Sequence, residues 1–278
     1  MLTGIRVLAA LLLVAAVAAA VVLGATEWEI RRPHAIRLGT IAVPHDAASV
    51  AEGGRIATLL GCRSCHFEGK GGAWKPVNKW WGTIAPPALA RAIMGYSDAE
   101  LARLIRHGVK RDGTTLFVMP AWSERYLADD DTGRVIAWLR TLKPAPDDST
   151  AKTEFGALAR FDIATGKLRP SYQPGTVAPL ARPTPAGQYW AQALCSECHH
   201  MLDDQRREGQ VVPGLAAAAT GYDRASFRAL LKTGKGKRGR ELGLMSTIAR
   251  ENLHALRDDE IDVLHDWLTG EAKRLEGR

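Results

Sequence analysis

Two five-residue runs, Cys62-Arg63-Ser64-Cys65-His66 and Cys195-Ser196-Glu197-Cys198-His199, constrain this chain more than any other feature of it. Each has the spacing of a covalent attachment site for a c-type haem. Two thiols three positions apart lie on one side of a helical turn, where both can form thioethers with one porphyrin, and the next residue is a histidine able to reach the iron. The chain has four cysteines and the two runs use them all, leaving none for a disulfide or for a thiolate on the iron. A redox dithiol would sit in a βαβ context that neither run has. A four-cysteine zinc site would give no reason for the two histidines.

The chain is also a duplication. At an offset of 126, Pro87, Leu89, Gly95, Tyr96, Gly108, Gly113, Leu116 and Met119 meet the same residues at Pro213, Leu215, Gly221, Tyr222, Gly234, Gly239, Leu242 and Met245. The attachment runs repeat at 133, and Leu127, Asp129 and Trp138 meet Leu256, Asp258 and Trp267 at 129. Changing offsets mean loops of different length between equivalent elements. Each copy reads as three helices. The first leads into the attachment run, over about 47–60 and 185–194; the second starts at Ser97, with a capping box to Glu100, and at Asp223; the third covers about 131–141 and 258–269. Leu101, Leu104 and Ile105, like Phe227, Leu230 and Leu231, have the spacing of one buried face.

Ahead of the repeats, Val7 to Leu23 is an uncharged run of Ala, Val and Leu, flanked by Arg6 and by Glu27, Trp28, Glu29, Arg31 and Arg32. Seventeen residues is the lower edge of a membrane span and longer than the usual core of an export signal. Trp28 suits an interfacial position. The competing reading is cleavage after Ala18-Ala19-Ala20, which would leave an apolar new terminus. Either way the rest of the chain crosses the membrane. The formal charge of +7 is offset by the propionates that two haems bring, so the basic balance gives no argument for nucleic acid.

On these runs, and on Met119-Pro120-Ala121-Trp122, each half resembles a class I cytochrome c domain, and the whole resembles membrane-anchored two-haem cytochromes c. The resemblance implies a mainly α fold: a membrane anchor or signal segment at 1–30, cytochrome c domains at 45–143 and 183–270, and a proline-rich linker at 144–182. It implies two covalently attached haem c groups, with Cys62, Cys65, Cys195 and Cys198 as attachment points and His66 and His199 as proximal ligands. A later methionine then serves as distal ligand, and a proline carbonyl orients each histidine. Met119 and Met245 align with each other, whereas Met94 aligns with Thr220 and Met201 lies too close to His199 to reach the opposite haem face. Met119 and Met245 are therefore the distal candidates, with Ser246 standing where Pro120 follows Met119. Pro87 and Pro213 are the carbonyl candidates, Pro86 being an alternative register. His107, His254 and His265 are rival distal ligands, and none has an aligned partner.

Two segments differ between the copies. The first haem loop carries Trp74, Trp80 and Trp81, and the second copy carries Lys232, Lys235, Lys237, Arg238 and Arg240 before Met245, a possible dock for an acidic partner. In the linker, Pro144, Pro146, Pro170, Pro174 and Pro179 predict extended chain, and Phe155, Leu158, Phe161 and Ile163 predict that part of it packs.

Methionine and histidine together fill both axial positions of a haem, which suits outer-sphere electron transfer. The expected function is a single-electron carrier between redox protein partners on the outer, periplasmic face of the cytoplasmic membrane. The alternatives are a haem subunit of a dehydrogenase or oxidase complex and a two-haem enzyme such as a peroxidase, which would need an open iron position.

Overall fold

In the computed structural model the described residues are 2–74, 78–175, 180–207 and 209–276, so Pro179 of the linker lies outside them. The chain is mainly helical. Its helices are α1 (Leu2–Arg31), α2 (Ala47–Leu59), α3 (Cys62–Cys65), α4 (Leu89–Ala92), α5 (Asp98–His107), α6 (Ala121–Glu124), α7 (Asp129–Thr141), α8 (Ala157–Ala164), α9 (Ala186–Trp190), α10 (Leu215–Thr220), α11 (Arg224–Thr233), α12 (Leu244–Glu251) and α13 (Asp258–Glu276). Two antiparallel strand pairs join them: β1 (Gly82–Thr83) with β2 (Glu154–Phe155), and β3 (Gln205–Arg207) with β4 (Gln210–Val212).

Local chemistry sets the ends of the predicted helices. Asp46 accepts from Ser49 N at 2.9 Å to start α2. Ser97 and Glu100 close a reciprocal capping box on α5, and Asp223 caps α11 through Ser226 N. Both α5 and α11 stop at a glycine in the left-handed region, Gly108 and Gly234, where a β-carbon would be strained. The helix predicted at 185–194 is α9 continued by a wider π-helical turn, Ala191–Cys195, which carries the chain into the second attachment run.

In both halves the leading helix crosses the last helix at a glycine. A β-carbon on Gly53 of α2 would lie 1.8 Å from the Arg134 carbonyl oxygen of α7, and one on Gly187 of α9 would lie 2.3 Å from that of Val263 on α13. The backbones touch there. Ile56, Leu101, Ile136 and Leu139 fill the interior of the first half, and Tyr189, Phe227, Ile261 and Leu264 that of the second, in one continuous apolar core.

The halves meet reciprocally. From α2, Arg55 donates to both carboxylate oxygens of Glu260 on α13, at 2.8 and 2.9 Å, and to the Ala255 carbonyl at 2.9 Å. From α9, Tyr189 Oη donates to Asp131 Oδ2 on α7 at 2.5 Å and accepts from Ala128 N at 3.3 Å. Asp131 and Glu260 are equivalent at the offset of 129, so the same pair of elements is used in each direction. Arg55 also bonds Glu52, whose carboxyl it holds down to about 2.

The linker is more structured than extended chain. Its β2 pairs with β1 in the first haem loop, Gly82 opposite Phe155, and α8 packs against the last turns of α1, where Arg160 pairs with Glu27 at 2.6 Å. Ile163 and Ala159 face inward, whereas Leu158 and Phe161 are exposed, so part of the linker packs and part of its apolar surface does not. The chain has one helix among the described residues that is long and apolar enough to cross a membrane, Thr3–Arg31.

The glycine crossings give a direct test. Gly53→Ala forces α2 from α7, with an expected loss of about 1–3 kcal/mol, measured as a fall in the thermal midpoint of the haem-loaded chain. Gly166→Ala is the comparison: its added carbon meets nothing within 4 Å, so its cost is confined to backbone strain at φ +72°.

Candidate functional site

The first attachment run begins at Gly61, whose φ of +74° turns the chain out of α2 and starts the single helical turn α3. This turn puts Cys62 and Cys65 on one side and ends at His66, whose backbone N donates to the Cys62 carbonyl at 3.1 Å. His66 Nδ1 lies 2.8 Å from the Pro87 carbonyl oxygen. In the second half His199 Nδ1 lies 2.8 Å from the Pro213 carbonyl oxygen. In each ring Nδ1 is thereby the donor and Nε2 keeps its lone pair for a metal, the arrangement in which a carbonyl fixes tautomer and ring orientation. Pro86 is differently employed, its carbonyl accepting from Gly72 N at 3.0 Å. The approach depends on Gly71 at φ +68°, where a β-carbon would lie 2.3 Å from Ala88 N.

The thiols are not paired as disulfides. Burial pushes Cys195 up to about 12 and raises Cys62 and Cys65 as well, the opposite of the depressed pKa of a reactive dithiol. No group of three or more His, Cys, Asp or Glu suited to a metal ion occurs among the described residues. The donor set instead fits a porphyrin: two thiols on one turn and an imidazole held with Nε2 free.

Met119 and Met245 are half-buried against the core, and Met94 is 63% exposed. Met119 sits in irregular chain just before α6, with its carbonyl accepting from Ala121 N at 2.9 Å. Met245 lies in the first turn of α12. Ser246, in the place of a proline, is fully buried: its hydroxyl donates to the Gly234 carbonyl at 2.5 Å and accepts from Leu242 N at 2.8 Å. That clip closes the basic loop. The rival histidines have other occupations: His107 Nδ1 is 2.9 Å from the Gln173 carbonyl, His265 Nε2 is 2.8 Å from that of Tyr222, and His254 is exposed. In the basic loop Lys232 bonds the carbonyls of His254 and Leu256 and Lys235 pairs with Glu241, so only part of its charge faces outward unpaired.

Each attachment run meets residues of the other half across the interface. Ser64 donates to Asn252 Oδ1 at 2.8 Å, and a β-carbon on Gly61 would touch the same asparagine. On the other side Glu197 of the second run stands near Glu124, at the end of α6 after Met119. Glu124 is buried, with Oε2 lacking a hydrogen-bond partner. Burial, with the Glu197 charge beside it, holds the Glu124 carboxyl well above the usual range. Sequence reading missed both pairs. The signal was faint, because Ser64 and Glu197 align at 133 yet differ in chemistry.

Residues 48–139 match the family described as cytochrome c oxidase, cbb3-type, subunit III. The fructose dehydrogenase cytochrome subunit of Gluconobacter japonicus is 24% identical over 257 residues, covering 79% of this chain and 52% of that protein. The gluconate 2-dehydrogenase cytochrome c subunit of Pantoea cypripedii is 23% identical over 281 residues, 84% of this chain and 63% of that one. The alcohol dehydrogenase (quinone) cytochrome c subunit of Komagataeibacter europaeus is 27% identical over 169 residues, 55% of this chain and 36% of that subunit. This chain therefore spans about half the length of the curated relatives it matches. The matched segment, 48–139, is a cytochrome c domain, of the kind that holds haem c through thioethers.

Glu124 supplies a pH test. The folded chain binds this proton more tightly than the unfolded chain, so its contribution to stability is full below the ordinary carboxyl value of 4.5 and declines as pH rises above it. Glu124→Gln removes that decline. The expected result is a thermal midpoint close to the parent's near pH 4 and above it near pH 7, read on the haem-loaded protein.

Proposed function

We propose that this chain is a two-haem electron-transfer subunit, anchored by α1 with both haem domains on the outer face of the cytoplasmic membrane, and that it passes single electrons from a membrane-associated dehydrogenase to a respiratory acceptor. The observation that carries this reading is that the histidine–proline carbonyl contact occurs twice, at 2.8 Å in each half, beside an attachment run. The relatives are named as cytochrome subunits of fructose, gluconate and alcohol dehydrogenases, which supports a place beside a catalytic subunit.

Bound haem c supplies a one-electron ferric/ferrous couple. The chain's own residues do the rest. Cys62 with Cys65, and Cys195 with Cys198, would tether the two groups; His66 and His199 would hold them through Nε2, with Pro87 and Pro213 keeping those rings oriented and electron-rich. Met119 and Met245 would be the second protein ligands, and a methionine ligand raises the potential relative to a second histidine. Held by a histidine and a methionine, each group would offer substrate no place on the iron, which favours a carrier over a peroxidase. The domains at 45–143 and 183–270 would each supply one complete ligand set.

The full-length protein is expected to carry two haems per chain, six-coordinate and low-spin, with a near-infrared methionine-to-iron charge-transfer band of two-haem intensity. Met119→Ala should remove about half of that band. A single haem per chain, or a high-spin haem that turns over peroxide, would overturn the assignment.

A further inference from the structure

Helix α8 presents an uncharged face to its surroundings. Leu158 is 43% exposed and Phe161 56%, and the rest of that stripe is Ala157, Ala164 and Thr165. Its two charged residues are committed elsewhere, Arg160 to Glu27 and Thr26 of α1 and Asp162 to the Trp81 indole. Beside it stands Trp80, 61% exposed, whose carbonyl accepts from Leu158 N at 3.0 Å. Trp28 of α1 is 68% exposed and shares a cleft with Ile163, Leu168 and Arg169 just beyond α8. Cations rim this region: Lys79 over the Trp80 ring at 5.4 Å, and the exposed side chains of Lys167 and Arg31, which pair with Asp162 at 3.4 Å and Glu27 at 2.6 Å.

The position of this patch identifies what covers it. The apolar run of α1 ends at Leu23, and α8 is pinned to Thr26 and Glu27, only three or four residues further on. At about 1.5 Å per residue that is about 5–6 Å past the end of the apolar run. The headgroup layer of a bilayer is about 5–8 Å deep on each side. Aromatic and aliphatic side chains rimmed by Lys and Arg are the composition that settles at this depth. We infer that α8, with Trp80 and Trp28, lies in the headgroup layer of the membrane that α1 spans, so that the first half is seated on the lipid surface rather than hanging from a single helix. The inference rests on α1 being a retained anchor, and the experiment separates the two.

The full-length haem-loaded chain is placed in nanodiscs of phosphatidylcholine and phosphatidylglycerol that contain a phosphatidylcholine with a diazirine near the top of one acyl chain. After photolysis and digestion, lipid adducts are expected on peptides carrying Leu158, Phe161 and Trp80 as well as on Val7–Leu23. Leu158→Glu/Phe161→Glu should lower the α8 adducts about tenfold while leaving those on α1. Phe161→Leu, which keeps the face apolar, should retain them, and the haem spectrum of each variant reports its folding. Adducts on α1 with none on α8 overturn the inference and leave the anchor standing, as does cross-linking of α8 to a co-purifying protein in place of lipid. A chain that leaves the disc without adducts anywhere overturns the anchor and the inference with it.

Discussion

Asp131 is a fully buried carboxylate in the first turn of one half's last helix, and the mutual placement of the two halves depends on how it is satisfied. It accepts from Tyr189 across the interface, from Arg182 in the segment leading to the second half at 2.5 Å, and from Arg134 on its own helix at 2.9 Å. A buried charge is tolerated only with such partners, and removing one typically costs about 3–5 kcal/mol. The equivalent acid, Glu260, is met by Arg55 and Arg257. Because Arg55 and Tyr189 lie on the helices that run into the attachment turns, these bonds fix where each turn begins. The glycine crossings then fix how closely those helices lie on the last helix of their own half.

This construction suits a carrier of electrons. Such a protein gains nothing from a mobile site, and here each histidine is held by a carbonyl from the far side of its loop while the loop is held by a close backbone approach. The first haem loop has an added tie, since β1 pairs with the linker strand β2 and Ser149 N donates to the Lys70 carbonyl at 2.8 Å. The linker thus braces the first loop as well as connecting the halves. Its last task is performed by α8, which joins the first half to α1.

Much of this could be read in the chain before any coordinates. The attachment runs are local chemistry, the capping box at Ser97 and Glu100 is a local signal, and the duplication gave two independent views of each helix. The register of the carbonyl at Pro87 over Pro86 could not be read, because it depends on Gly71 letting the loop close against Ala88. Nor could the interface. Arg55 aligns with Gln188 and Ile56 with Tyr189, so each half uses a different donor one position apart, and sequence comparison hides a contact that the fold repeats. Which of the linker's apolar residues pack could not be read either, because that depends on the side of α8 that meets α1 and β1.

The reciprocal use of α2 on α13 and α9 on α7 is the geometry of a two-fold symmetric pair written into a single polypeptide. Joining the two copies replaces a bimolecular encounter with an effective concentration on the order of millimolar, so the contact need not be strong enough to hold two free subunits together. It also releases the copies from identity. In a homodimer every substitution appears on both sides of the axis, whereas here Ser64 could keep a neutral partner in Asn252 while its counterpart Glu197 came to face another acid, so the fusion lets one protein contain two unequal versions of the same five-residue run.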